Sequence, residues 1–265
     1  EFVREHCRQS EPVSSLYTGG VIGWLGYEAG QSTEKMPSPT TPRQTHDVCF
    51  WRTEGGLIFD HKRKQWTITG NATFRDQANS LLSDARCTTV PQADTRQSNP
   101  WAPENVGAHA SHYQQGVTSI LSSIREGEVY QVNLAWEQAN IPVSNGVETW
   151  LRIRQFNPAL RGCYLRYRST EVISNSPELF LHFDSGSRRL VSTPIKGTAA
   201  LCEGSPARDL LCNSAKERAE LTMIVDLVRN DLGRVATTGT VRVGERTIRE
   251  CGDLWHAEQT VSAQL

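Results

Sequence analysis

Between Ser214 and Leu232 the chain runs without a proline or a glycine, and Gly233 follows as a stop. Ser214 stands three residues before Glu217, the spacing of a capping box, so the run predicts one long helix. At about 100° per residue, Glu217, Glu220, Ile224, Leu227 and Asp231 fall near one stripe, which is expected to face the rest of the protein. Carboxylates on a packing face need partners. Glu217 can close the capping box by reaching back to the Ser214 amide, or it can serve a site. Glu220 lies one turn further in, beside Ile224, where an unpaired carboxylate is costly. A hard divalent cation satisfies it, or a cation from elsewhere in the chain, since Lys216 and Arg218 are placed on other faces.

The surrounding chain has an ordinary globular composition. Its 265 residues are 37% hydrophobic and 22% charged, enough for one large domain or two small ones. A net charge of -1, with Lys and Arg scattered, gives no electrostatic footprint for nucleic acid. No apolar run approaches a membrane span, and Glu1-Phe2-Val3-Arg4-Glu5-His6-Cys7 is no signal peptide, so the expectation is a cytoplasmic protein without a membrane partner. Seven cysteines, none in a Cys-x-x-Cys pair, read as reduced and mostly buried thiols. The chain opens without Met, in what reads as the middle of a helix, and is expected to be a fragment.

Residues 1–90 read as a β-rich region. The glycine-dense stretch 18–30 lacks the Gly-Lys-Ser/Thr ending of a phosphate loop, and its glycines alternate with large apolar groups, as in a strand that another backbone approaches closely. Short apolar runs at Asp47–Arg52, Leu57–His61 and Gln65–Ile68 predict an antiparallel sheet. Residues 91–111 form a surface connection, and a core follows over 112–265. There the pattern predicts a helix over His112–Glu126 stopped by Gly127, a strand over Tyr130–Trp136, a helix over Val147–Gln155, and strands at Cys163–Tyr167 and Val172–Ser174. Ser176-Pro177-Glu178 then leads into an apolar strand through Phe183. A hairpin through Asp184-Ser185-Gly186-Ser187 returns along Arg189–Ser192, bringing Glu178 and Lys196 to one end of a sheet.

Four segments carry a resemblance: Gly127-Glu128-Val129-Tyr130-Gln131-Val132-Asn133-Leu134, Ser176-Pro177-Glu178-Leu179-Phe180, Pro194-Ile195-Lys196-Gly197-Thr198, and Ala215-Lys216-Glu217-Arg218-Ala219-Glu220 through Gly233-Arg234. In order and spacing the chain resembles the chorismate-utilising enzymes from about Thr18 to Leu265. The resemblance implies an α+β fold in which antiparallel β-sheets pack together with outer helices. It also implies a C-terminally incomplete chain, because the family's later Gly-Ala-Pro-Lys segment, a substrate-binding Arg and a last magnesium-binding Glu are absent. Where the family usually reads His-His-Leu-Val-Ser-Thr, this chain has Trp255-His256-Ala257-Glu258-Gln259-Thr260.

Carried over by position, the resemblance makes Lys196 the catalytic lysine and Glu178 its acid–base partner. Gly197, Thr198, Glu217 and His256 become substrate-binding residues, and Glu220 a ligand of magnesium (Mg2+). The residue types suit the chemistry: an amine serves as nucleophile or base, and a nearby carboxylate can protonate a leaving hydroxyl. The bland alternative for Lys196 is a stem packed on the strand end with its ammonium in water. Lysine stands here where anthranilate-forming members usually have alanine, so the implied reaction is amination of chorismate to 4-amino-4-deoxychorismate, towards p-aminobenzoate and folate. Ammonia is implied to come from glutamine through a separate glutaminase (glutamine amidotransferase) subunit. Formation of anthranilate or isochorismate is the alternative within the family. An inactive piece that offers at most a binding surface is the alternative outside enzymes.

Overall fold

The computed structural model describes residues 17, 19–35, 46–84, 106–135, 143, 145–202 and 206–265. Two compact units are distinguished, Glu1–Thr89 with Ile153–Leu265, and Val90–Arg152.

In the larger unit, β1 (Gly20–Leu25) pairs antiparallel with β2 (Val48–Thr53), and a 3-10 turn covers Tyr27–Ser32. A Cβ on Gly23 would collide with the Cys49 carbonyl and with Phe50, which is why glycine occupies a strand interior here. The hairpin β3 (Gly55–Asp60) and β4 (Gln65–Gly70) follows, then helix α1 (Ala72–Asp84).

The smaller unit contains α2 (Val106–Arg125), which begins six residues before the predicted His112. Of the predicted connection, residues 91–105 lie outside the described residues, as do the first residues of the chain. Gly127 stops α2 in the left-handed region (φ 77°), and Glu128 N donates to Ser123 O at 3.0 Å, a helix-capping pattern that only glycine adopts cheaply. The strand predicted over Tyr130–Trp136 does not form among the described residues. Tyr130 and Val132 stay exposed, and a strand needs a neighbour to take its backbone hydrogen bonds. Helix α3 (Gly146–Phe156) then leads out of this unit and ends before Asn157-Pro158.

The rest of the larger unit is dominated by one five-stranded antiparallel sheet. After the hairpin β5 (Cys163–Tyr167) and β6 (Thr170–Ser174) come β7 (Leu179–Asp184), β8 (Arg189–Thr193) and β9 (Ile195–Ala200), and after two helices β10 (Arg242–Cys251) and β11 (Leu254–Gln264). The long β11 pairs with β10 along one edge. Along its other edge it pairs first with β9 and then with β8, so these two strands are one line interrupted at Pro194. Proline cannot donate to a ladder, and the register slips between His256 and Glu258 where the chain passes it.

Helices α4 (Ala207–Asn213) and α5 (Ala215–Gly233) cover this sheet. Leu221, Val225 and Leu232 of α5 are buried with Leu211 against Ala257, Val261 and Ala263 of β11. The packing stripe is therefore Leu221, Val225 and Leu232, buried, with Val228 partly buried, one position on from the predicted one. Leu227 is 46% exposed, and Asp231 is exposed. Both stripes carry apolar residues, so spacing alone did not discriminate, and the small side chains of β11 select the face that approaches closest.

The cysteines also differ from expectation. Cys49, Cys163, Cys202, Cys212 and Cys251 are free thiols, but only Cys251 of these is buried. Among the described residues no helix is long and apolar enough to cross a membrane.

Candidate active site

The site grows from the β7–β8–β9 line. The hairpin is tight because Asp184 accepts hydrogen bonds from the amide and the hydroxyl of Ser187, both at 2.6 Å, which holds the Asp184 carboxyl below its usual range. Its register sets Leu179 opposite Thr193. Glu178, one residue earlier, consequently reaches past Pro194, and its Oε1 accepts the Ile195 amide at 3.0 Å. The predicted meeting of Glu178 with the Lys196 strand is thus observed. Lys196 is half-buried, and no hydrogen bond or ion pair ties its Nζ among the described residues.

Gly197 comes next, with φ 89°, and its α-carbon lies against α5. A Cβ there would sit 2.9 Å from Glu217 Oε2 and 2.9 Å from Leu211 Cδ1. Glu217 is placed by the helix start: the Ser214 hydroxyl accepts its amide at 3.2 Å. The reciprocal half of the predicted capping box is not made among the described residues, and the Glu217 side chain turns to Gly197 instead. Glu220 corrects a second expectation. It has a partner on its own helix, Lys216, with Nζ 3.6 Å from Oε1, four residues away and so a neighbour on the helix surface. Its side chain is 37% exposed, so it lies at the flank of the packing face.

On β11, His256 is opposite Thr198 of β9, with Thr198 Oγ1 and His256 Nδ1 3.1 Å apart. His256 is buried, and burial pushes its imidazole below the ordinary value, helped by the Arg249 cation and opposed by Glu258 and Glu178. Arg249 and Glu258 were not singled out as site residues from the sequence. Glu258 was visible only as a departure from the His-His-Leu-Val-Ser-Thr pattern, and Arg249 gave no signal. In the fold they form an ion pair beside His256, with Nη2 to Oε2 at 2.8 Å. The fold therefore gathers Glu178, Lys196, Gly197, Thr198, Glu217 and His256 on β9 and its neighbours. A hollow lined by Leu25, Glu28, Ser32, Asp47 and Val48 contains none of them.

No group of three or more His, Cys, Asp or Glu side chains among the described residues is arranged to hold a metal. The donor chemistry on α5 still fits magnesium, which binds proteins through one or two carboxylates and keeps waters and substrate oxygens for its other positions. Glu220 is partly exposed, and its Lys216 partner is a solvent-exposed cation.

The fold is α+β with antiparallel sheets, and Lys196, Gly197 and Thr198 follow one another on β9 beside Glu178, Glu217 and His256. Residues 2–265 match the family model described as chorismate binding enzyme, and the chain belongs to that family. It is similar to aminodeoxychorismate synthase component 1 of Klebsiella aerogenes, 33% identical over 273 residues that cover 98% of this chain and 58% of that protein. It is also similar to anthranilate synthase component 1 3 of Haloarcula marismortui, 29% identical over 285 residues, covering 99% of this chain and 55% of that protein. In fold it is like the crystal structure of anthranilate synthase component I from Streptococcus pneumoniae TIGR4, with a TM-score of 0.75 at 23% identity over 100% of this chain and 61% of that chain. The chain spans a little over half the length of the curated relatives it matches.

Proposed function

We propose that this chain is part of an aminodeoxychorismate synthase component that converts chorismate and ammonia to 4-amino-4-deoxychorismate. The observation that carries this reading is the place of Lys196, half-buried on β9 directly after Ile195, whose amide donates to Glu178. The Lys196 amine adds to C2 of chorismate while the C4 hydroxyl takes a proton from Glu178 and leaves as water. Ammonia then bonds to C4 and the lysine nitrogen leaves C2 as the neutral amine, restoring the diene, while the new C4 ammonium returns one proton to the Glu178 carboxylate. Gly197 lets the β9 backbone lie close to Glu217, and Thr198 and His256 offer the substrate hydrogen-bonding atoms. Glu220 would hold magnesium, which when bound would neutralise and orient a substrate carboxylate.

The reading includes a glutaminase subunit as ammonia source and a cytoplasmic place in p-aminobenzoate and folate synthesis. Amination to anthranilate is the second reading, favoured by the comparable identity of the Haloarcula marismortui relative. Product analysis separates the two. The intact protein, given chorismate, ammonium and magnesium, should form 4-amino-4-deoxychorismate by chromatography and mass spectrometry. Anthranilate or isochorismate as the main product would overturn the reading.

A further inference from the structure

Arg249 reaches across three elements. It lies opposite His256 in the β10–β11 ladder, and its guanidinium leans diagonally onto Glu258, with Nε donating to Oε2 at 2.8 Å and Nη2 in ion-pair contact with the same oxygen at 2.8 Å. The same Nη2 donates to the Pro177 carbonyl at 3.2 Å. Pro177 is the residue before Glu178. The turn is also tied from within, because the Ser176 hydroxyl accepts the Glu178 amide at 3.3 Å. The backbone leading into Glu178 is thus held from the β10–β11 side, while its carboxylate is held by the Ile195 amide from the β9 side.

We propose that Arg249, oriented by Glu258, is a positioning residue that fixes the Ser176-Pro177-Glu178 turn and so aims the Glu178 carboxylate at the Lys196 strand. The inference rests on the reading of Glu178 as the acid–base group. A role in stability alone explains the arrangement less well. Arg249 Nη1 is buried without a partner among the described residues, and a half-buried ion pair with an orphaned donor adds little to stability. What the pair does supply is direction, since a planar guanidinium gripped by one carboxylate presents its remaining N–H along a fixed line. The Glu258 hydrogen bond also holds the Arg249 pKa above its ordinary value, so the strut stays charged.

Two readouts in the intact protein test this. The first is hydrogen exchange of the Ile195 amide by NMR, with the Val261 amide in the same sheet as reference. Arg249→Gln should speed exchange at Ile195 by about tenfold or more while Val261 changes little. The second is kinetic. Arg249→Gln should lower kcat about tenfold with KM for chorismate within about twofold, and should cause no further loss on a Glu178→Gln background. If Arg249→Gln does not fold, Glu258→Gln, which keeps the shape and removes the charge, should move both readouts the same way. Unchanged exchange at Ile195, equal acceleration at Ile195 and Val261, or a full additional loss on the Glu178→Gln background would overturn the strut. If the wild type forms no aminated product, the reaction reading fails by itself, and the exchange comparison then decides the strut alone.

Discussion

Thr198 Oγ1 and His256 Nδ1 lie 3.1 Å apart across the β9–β11 ladder, so the strand just after Lys196 is tied to a buried imidazole. Burial lowers the folded-state pKa of His256, with Arg249 acting the same way. The unfolded chain therefore takes up this proton first as pH falls, and the stability that neutral His256 contributes is complete above about pH 6.5 and lost as pH falls through the lower folded value. Melting temperature measured from pH 8 to pH 5 should fall more steeply for the wild type than for His256→Gln below about pH 6.5. Parallel curves would count against the buried neutral histidine.

Gly197→Ala tests the approach of β9 to α5. The φ of 89° is unfavourable for alanine, and the new Cβ would press on Glu217 Oε2 and Leu211 Cδ1. Denaturant unfolding should show a loss of about 1–3 kcal/mol.

The buried face of α5 is checked by a pair of substitutions. Leu221 is 1% exposed and Leu227 is 46% exposed. Leu221→Ala should cost about 2–5 kcal/mol and Leu227→Ala less than about 1 kcal/mol, read from denaturant midpoints. The reverse order would restore the stripe inferred from spacing.

Glu220→Gln should leave stability within about 1 kcal/mol, because its ion pair with Lys216 is a surface pair. Titration of magnesium against activity in the intact protein should instead show a weaker apparent affinity, by about tenfold or more. Unchanged magnesium dependence would remove Glu220 from the metal site.

Lys196→Ala should abolish the direct amination route, lowering turnover by at least about a hundredfold. Wild-type protein incubated with chorismate without ammonia should carry a covalent adduct on Lys196, located by peptide mass spectrometry. Absence of the adduct together with wild-type amination by Lys196→Ala would exclude the lysine as nucleophile.

What the sequence determined by itself was local. Strand β5 occupies Cys163–Tyr167 as its alternation predicts, and α3 exceeds its predicted span by one residue at each end. The glycine stop at Gly127 and the short hairpin that delivers Glu178 to β9 are also as read. These features depend on a few consecutive residues, whose φ/ψ preferences and side-chain period are written directly in the chain. Tertiary structure decided which of two overlapping stripes on α5 is buried, because only contact with Ala257, Val261 and Ala263 distinguishes them. It left the residues from Tyr130 to Ala135 without a ladder among the described residues, since alternation makes a strand possible but a neighbour must complete its hydrogen bonds. It also joined Arg249 to Glu258, nine residues away, and to Pro177, 72 residues away. The first contact follows from the β10–β11 hairpin across Gly252-Asp253, but no spacing rule encodes the second: it exists only once the Ser176-Pro177-Glu178 turn and β10 are brought to the same sheet.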